Sequence, residues 1–166
     1  MLGIMLIRDA TSDDWPGIWR FMRGIVAAGE TFCWDPETSE DQAFAMWMHD
    51  LPGRTVVAAD DDETILGTAE TQPNQGGPGS HIANAGFMVD PARSGRGVGR
   101  ALAEHVLSQA RADGYRAMQF NAVAETNTGA VHLWRSVGFT VLATVPEGFC
   151  HPAKGYVGLH IMYRPL

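Results

Sequence analysis

DPARSGRGVG, running from Asp90 to Gly99, is the stretch that decides how this chain folds. An apolar run, Ile82 to Val89, precedes it and reads as a strand, while Val98, Leu102, Val106 and Ala110 follow at the four-residue spacing of one helix face. Strand, glycine turn and helix in that order present a helix N-terminus to an anion. The first N–H groups of the helix lack partners and carry a partial positive charge, and glycines let a phosphate approach the backbone closely. With each charge-assisted hydrogen bond contributing about 1.5 to 3 kcal/mol, about four or five of them hold a pyrophosphate. Arg93, Arg96, Arg100, Arg111 and Arg116 are 5 of the 12 Lys and Arg residues, so the positive charge concentrates around this turn.

Outward from the turn, the pattern alternates strands and helices. Ile4 to Arg8 reads as a first strand. Asp13 and Asp14 open a helix whose Ile18, Phe21, Met22, Ile25 and Val26 form one apolar face. After a loop from Gly29 to Thr38, a helix beginning at Ser39 or Glu40 carries Phe44, Met46, Trp47 and Met48, and the Pro52-Gly53 pair is expected to end it. Thr55 to Ala59 and Ile65 to Thr71 flank an acidic tip, Asp60 to Glu63, as a hairpin does. The polar, glycine-rich segment from Pro73 to His81 reads as a surface loop. Ala117 to Val123 is a fifth strand, Asn127 to Phe139 a helix with its cap and terminating Gly138, and Tyr156 to Tyr163 a C-terminal strand.

The chain has 166 residues, 45% hydrophobic and 19% charged, which suits one globular domain spanning residues 1–166. No apolar run is long enough for a membrane span and the N-terminus lacks the build of a secretory signal, so a cytoplasmic protein without a membrane partner is expected. A net charge of −7 argues against nucleic acid, whose binding rests on a broad basic surface. Cys33 and Cys150 are read as free thiols, and no residue cluster has metal-ligand spacing, so no metal is expected.

Spacing separates the nucleotide motifs that compete for the glycines. A Walker loop requires Lys followed by Ser or Thr where this chain has Arg100-Ala101. A dinucleotide-binding fold requires an acidic residue at the end of the next strand, and Asp113 lies before that strand. The remaining pattern resembles the GNAT superfamily of N-acetyltransferases, whose turn reads Gln or Arg, two residues, Gly, any residue, then Gly or Ala. Gly97 and Gly99 match it, and Ser94 departs from it at the first position, with Arg93 and Arg96 nearby. NTGAVHLWRSVGF, Asn127 to Phe139, resembles the second motif of that family, so the likeness extends from about Ile82 to Phe139.

That resemblance implies a single α/β domain with a mixed, splayed sheet flanked by helices, and acetyl-CoA as co-substrate. The backbone of Phe87, Met88 and Val89 is then expected to bond the pantetheine arm in the cleft between the fourth and fifth strands. Ser94, Gly95, Arg96, Gly97, Val98, Gly99, Arg100 and Ala101 are expected around the pyrophosphate, and Asn127 near the sulfur. Transfer by direct attack of an amine needs neither a metal nor a covalent enzyme intermediate. The tyrosine that serves many members as general acid is Trp134 here, and an indole N–H has no useful acidity, so Trp134 is expected to be a packing residue.

Glu70, His81 and Glu125 are the candidate general bases. For an amine with pKa near 8, deprotonation at pH 7 costs only about 1.4 kcal/mol and a base is optional. FNAVAETNTGAVHLW also resembles fungal acetyltransferases of proline analogues such as azetidine-2-carboxylate, which implies Asn84 together with Asn121 and Ala122 on the acceptor. TFCWDPET, Thr31 to Thr38, is similar to a loop of phosphinothricin acetyltransferase-like enzymes and makes Phe32 and Trp34 candidate walls of the acceptor pocket. The expected acceptor is therefore a small amino-acid-like amine. A protein N-terminus, an aminoglycoside and a non-catalytic acetyl-CoA sensor are the alternatives, and a homodimer is compatible with the apolar C-terminal strand.

Overall fold

A computed structural model describes residues 4–166. Seven strands form one sheet: β1 (Leu6–Asp9), β2 (Arg54–Ala59), β3 (Ile65–Pro73), β4 (Ile82–Val89), β5 (Ala117–Ala124), β6 (Thr140–His151) and β7 (Gly155–Pro165). Four helices accompany them, α1 (Trp15–Ala28), α2 (Glu40–Trp47), α3 (Val98–Ala112) and α4 (Thr128–Ser136). The order across the sheet is β1-β2-β3-β4-β5-β7-β6, with every pair antiparallel except β4 and β5.

Period-two alternation divides the core between the two faces of the sheet. Val56, Ala58 and Leu66 pack with Val98, Leu102 and Val106 of α3 and Trp134 of α4. Val57, Ala59 and Ile65 pack with Ile18, Phe21 and Met22 of α1 and Trp47 of α2 on the other face. Strands covered on both sides need not alternate apolar with polar, which is why β2 reads as a nearly continuous apolar run, while β3 buries Thr68, Glu70 and Thr71 among its apolar residues.

The parallel pair is the feature that makes a site. β4 and β5 are in register only at Ile82 with Ala117 and Ala83 with Met118, so the strands part from Asn84 and Gln119 onward. Beyond that point β5 bulges: Phe120 faces Met162 and Val123 faces His160, leaving Asn121 and Ala122 out of register with β7. The splayed sheet expected from the motifs is present.

Three expectations need correction. The second helix does not run to Pro52-Gly53 but stops at Trp47, because the Thr55 hydroxyl donates to Trp47 O (2.7 Å) and accepts from His49 N (3.1 Å), drawing the chain into extended backbone at Met48. The first strand lies at Leu6–Asp9, displaced toward the C-terminus, where it pairs with Val56 to Ala59. The sequence reading also omitted β6, a twelve-residue edge strand pairing with β7 in two register shifts; most of its residues are exposed, so it lacks the apolar alternation that marks a strand.

Candidate active site

The glycine turn folds as its composition requires. Asp90 is buried and opens a short helical turn by accepting from Ala92 N through Oδ1 (3.0 Å). Its Oδ2 lies 2.9 Å from Arg20 Nη2 of α1, an ion pair whose angle falls outside hydrogen-bonding geometry, so the start of the turn is tied to α1 by charge. Gly95 and Gly97 have φ of +77° and +79°, a left-handed backbone that side chains oppose, and Gly97 is the N-cap of α3. No side chain caps α3, and Gly95 and Gly97 have open space where a Cβ would stand. Ser94, Arg96, Val98, Gly99, Arg100 and Ala101 complete this turn and first helical segment, and an uncapped N-terminus of this kind fits a diphosphate. Arg93 and Arg96 border a cavity shared with Asp60, Asp61 and Asp62, while Arg100 donates to Ser136 Oγ (2.7 Å).

Two adjoining cavities lie where β4 and β5 part. One, about 370 Å³, runs along Phe87, Met88 and Val89 against Gly24, Ile25 and Ala28 of α1. The other, about 240 Å³, lies under Phe32 and Trp34 and between Asn84 and Asn121. Asn127 and Phe87 line both, so Asn127 stands at their junction. As N-cap of α4 it accepts from Ala130 N (3.4 Å) through Oδ1. Among the described residues lining the smaller cavity, Glu70 is the one charged side chain, and there is no Lys or Arg.

The structure draws some of the candidates together and holds others elsewhere. Glu70, on β3, is buried and faces the smaller cavity, with its Oε2 3.0 Å from His49 Nε2. Glu125 is turned to β7, where it accepts from Gly158 N (2.8 Å), and it lines neither cavity. His81 is exposed at the start of β4, and its carbonyl accepts from Arg116 N. Asn84 Oδ1 accepts from its neighbour Ala85 N (2.8 Å). Asn121 donates to Asn74 Oδ1 (2.6 Å) and accepts from Gln119 Nε2 (3.1 Å), which ties the loop after β3 to β5. Ala122 lines the cavity beside it.

Trp134 is buried among aromatic rings, its ring centre 4.7 Å from those of both Phe87 and Phe120. No hydrogen bond from its indole N–H is present among the described residues. Cys33 also lines the smaller cavity, and partial burial raises its thiol pKa, which lowers the fraction present as thiolate.

Sequence reasoning missed His49, Trp47 and Gly86. Phe32, Trp34 and Trp47 form a cluster of edge-to-face rings with centres 6.0 to 6.2 Å apart, and Trp47 Nε1 is anchored on Thr68 Oγ1 (3.0 Å). A Cβ on Gly86 would come within 2.9 Å of Glu70 Oε1 and 3.1 Å of the Trp47 ring, so only glycine admits both groups at their present positions. A glycine inside a strand was the available sign of that close approach. For His49 no sign existed, since its partner is set by the position of β3.

Residues 12–139 match the acetyltransferase (GNAT) family. A solved structure of a GCN5-related N-acetyltransferase from Kribbella flavida is 55% identical and superimposes with a TM-score of 0.95, covering 98% of each chain. N-acetyltransferase aca1 of Schizosaccharomyces pombe is 33% identical over 111 residues, which are 66% of this chain and 53% of that protein, so the match spans about half of the yeast relative. L-amino acid N-acyltransferase MnaT of Escherichia coli is 26% identical over 117 residues, 69% of this chain and 67% of that protein.

Proposed function

Because this chain belongs to the acetyltransferase (GNAT) family of N-acetyltransferases, which use acetyl-CoA, we propose that it acetylates the amine of a small amino acid or amino-acid analogue with an uncharged side chain. The observation that carries this reading is the smaller cavity, whose charged lining is a lone carboxylate, Glu70, at the point where β4 and β5 part. Similarity to an L-amino acid N-acyltransferase supports the same class of acceptor. Acceptors with a second strongly anionic group, phosphinothricin among them, fit less well, since no Lys or Arg among the described residues lines the cavity to balance them.

Acetyl-CoA supplies an acetyl group activated as a thioester. The free N–H groups from Gly97 to Arg100 bind its diphosphate, with Ser94, Gly95, Arg96 and Ala101 shaping the turn. The backbone of Phe87, Met88 and Val89 holds the arm in the larger cavity. Phe32 and Trp34 wall the acceptor and exclude water, and Asn84, Asn121 and Ala122 orient it through neutral donors. Glu70 takes a proton from the acceptor ammonium, leaving the nitrogen lone pair free to attack. Asn127, at the junction of the cavities, donates its amide N–H where negative charge gathers on the departing sulfur. Glu125 and His81 have no part in this scheme.

A panel of amino acids, proline analogues, peptides and aminoglycosides tests the reading by thiol release from acetyl-CoA. Turnover concentrated in amino acids with uncharged side chains is expected. Faster turnover of peptides or aminoglycosides overturns the acceptor assignment, and silence across the panel favours a sensor of acetyl-CoA.

A further inference from the structure

His49 pairs with Glu70 but lines neither cavity, and nothing in the proposed scheme uses it. Its ring Nε2 is 3.0 Å from Glu70 Oε2, and both side chains are largely withdrawn from solvent, 15% and 10% exposed. The pair is a built arrangement. The backbone of His49 is pinned by the Thr55 hydroxyl (3.1 Å), the same hydroxyl holds the carbonyl of Trp47, and a Cβ on Gly53 would strike His49 Cβ at 2.7 Å. One carboxylate oxygen thus meets the imidazole, and the other lies over Gly86.

We propose that His49 is a positioning residue for Glu70 and that its ionisation sets the basicity of that carboxylate; the proposal rests on Glu70 acting as the base. A separation of 3.0 Å requires a proton between Nε2 and Oε2. When His49 is an imidazolium, its full charge stabilises the Glu70 carboxylate and makes it a weak base toward the acceptor. When His49 has lost the Nδ1 proton to water, Nε2–H still donates to Oε2 and keeps the carboxylate oriented, but the opposing charge is gone. Glu70 then holds a proton taken from the acceptor ammonium more firmly, and the amine is released as the nucleophile. Two protonation events belong to one coupled pair, so activity rises as the pair loses its second proton, the one that leaves the imidazolium. Histidine is the side chain whose ordinary titration lies where such a change matters at physiological pH.

Few other charges face the pair. Asp50 follows His49 in the chain and is exposed; Arg54 of β2 is engaged by Asp113 (2.7 Å) and Asp9 (3.7 Å). Gly86 of β4 brings no ionisable group, and Cys33 of the 29–38 loop lines the cavity.

The test compares His49→Gln, His49→Leu and Glu70→Gln with the parent protein. Imidazole nitrogen resonances followed against pH give the midpoint for His49 without any acceptor. Glu70→Gln should lower that midpoint, and an unchanged midpoint overturns the coupling. Thiol release from acetyl-CoA is then followed against pH with L-azetidine-2-carboxylate and L-methionine as acceptors. Glutamine at position 49 retains an N–H for Oε2 but does not titrate, so the acidic limb of kcat/KM should flatten while KM for acetyl-CoA stays within about twofold. Leucine supplies no donor and should lower kcat at least tenfold at every pH. If Glu70→Gln inactivates the enzyme and His49→Gln leaves the acidic limb where it was, His49 has no role beyond packing. If Glu70→Gln retains full turnover, Glu70 is not the base, and the proposed chemistry fails with it.

Discussion

Replacing Gly86 with alanine is expected to damage catalysis more than folding, and the size of each effect can be worked from the contacts. The new Cβ would lie 2.9 Å from Glu70 Oε1 and 3.1 to 3.2 Å from two atoms of the Trp47 ring. Trp47 has no room to yield, being 1% exposed and bonded through Nε1 to Thr68. Glu70 must therefore yield at Oε1, so the carboxylate moves or the strand bends. Overpacking of this kind costs about 1 to 3 kcal/mol. For a chain of this size that lowers Tm by about 2 to 4 °C per kcal/mol. Displacing a reacting group by about 1 Å costs about 100-fold in rate, or about 2.7 kcal/mol of barrier. Acetyl-CoA affinity should stay within about threefold, because the glycine turn is untouched. Gly76→Ala is the control, since no atom lies within 4 Å of its Cβ position and its φ is −86°. Differential scanning calorimetry, acetyl-CoA titration and steady-state kinetics measure the three quantities. A Gly86→Ala protein with the kcat of the parent would refute the claim that the carboxylate works from its position over Gly86.

Other perturbations separate the remaining parts of the site. Gly99→Asp should abolish acetyl-CoA binding in a folded protein, as its Cβ meets Leu133 at 3.4 Å and Val89 at 3.8 Å, both ordinary contacts, while its charge opposes the diphosphate; calorimetric titration with unchanged affinity would remove the turn from the site. Trp134→Phe should leave kcat within about tenfold, since it trims packing of about 1 kcal/mol and removes no proton donor, and a loss of several orders of magnitude would assign chemistry to the indole. Asn127→Ala should mainly lower kcat and Asn84→Ala mainly raise the acceptor KM, measured with L-azetidine-2-carboxylate; the reverse pattern would invert the proposed orientation of the cleft. The Arg8 guanidinium, hydrogen-bonded to the Asp14 carboxylate, holds its pKa below the ordinary value, so the stability from this pair is present above the unfolded-state carboxylate pKa and fades as pH falls through the folded one. Asp14→Asn should accordingly destabilise the protein at neutral pH and lose its effect in acid, and a difference in Tm that persists at the lowest pH at which both proteins fold would contradict the pairing.

What the sequence by itself determined is local in origin. The order of strand, glycine turn and helix from Ile82 to Ala110 was legible because caps, left-handed glycines and helical spacing depend on residues within a turn or two of one another. Asn127 and Gly138 were readable as the bounds of α4 for the same reason, and the family motifs carried the splayed sheet. The tertiary structure decided which candidates could work together. Glu70, His81 and Glu125 are indistinguishable as titratable residues near strand ends, yet the β3 register turns Glu70 to the cavity while the β5–β7 register turns Glu125 to the amide of Gly158. The partnership of Glu70 with His49, 21 residues away, depends on where Thr55 stops α2, and the need for Gly86 depends on the antiparallel pairing that sets it opposite Glu70. A strand's own residues specify which side chains alternate, but the neighbouring strand fixes what each one meets, and that choice is made only when the sheet assembles.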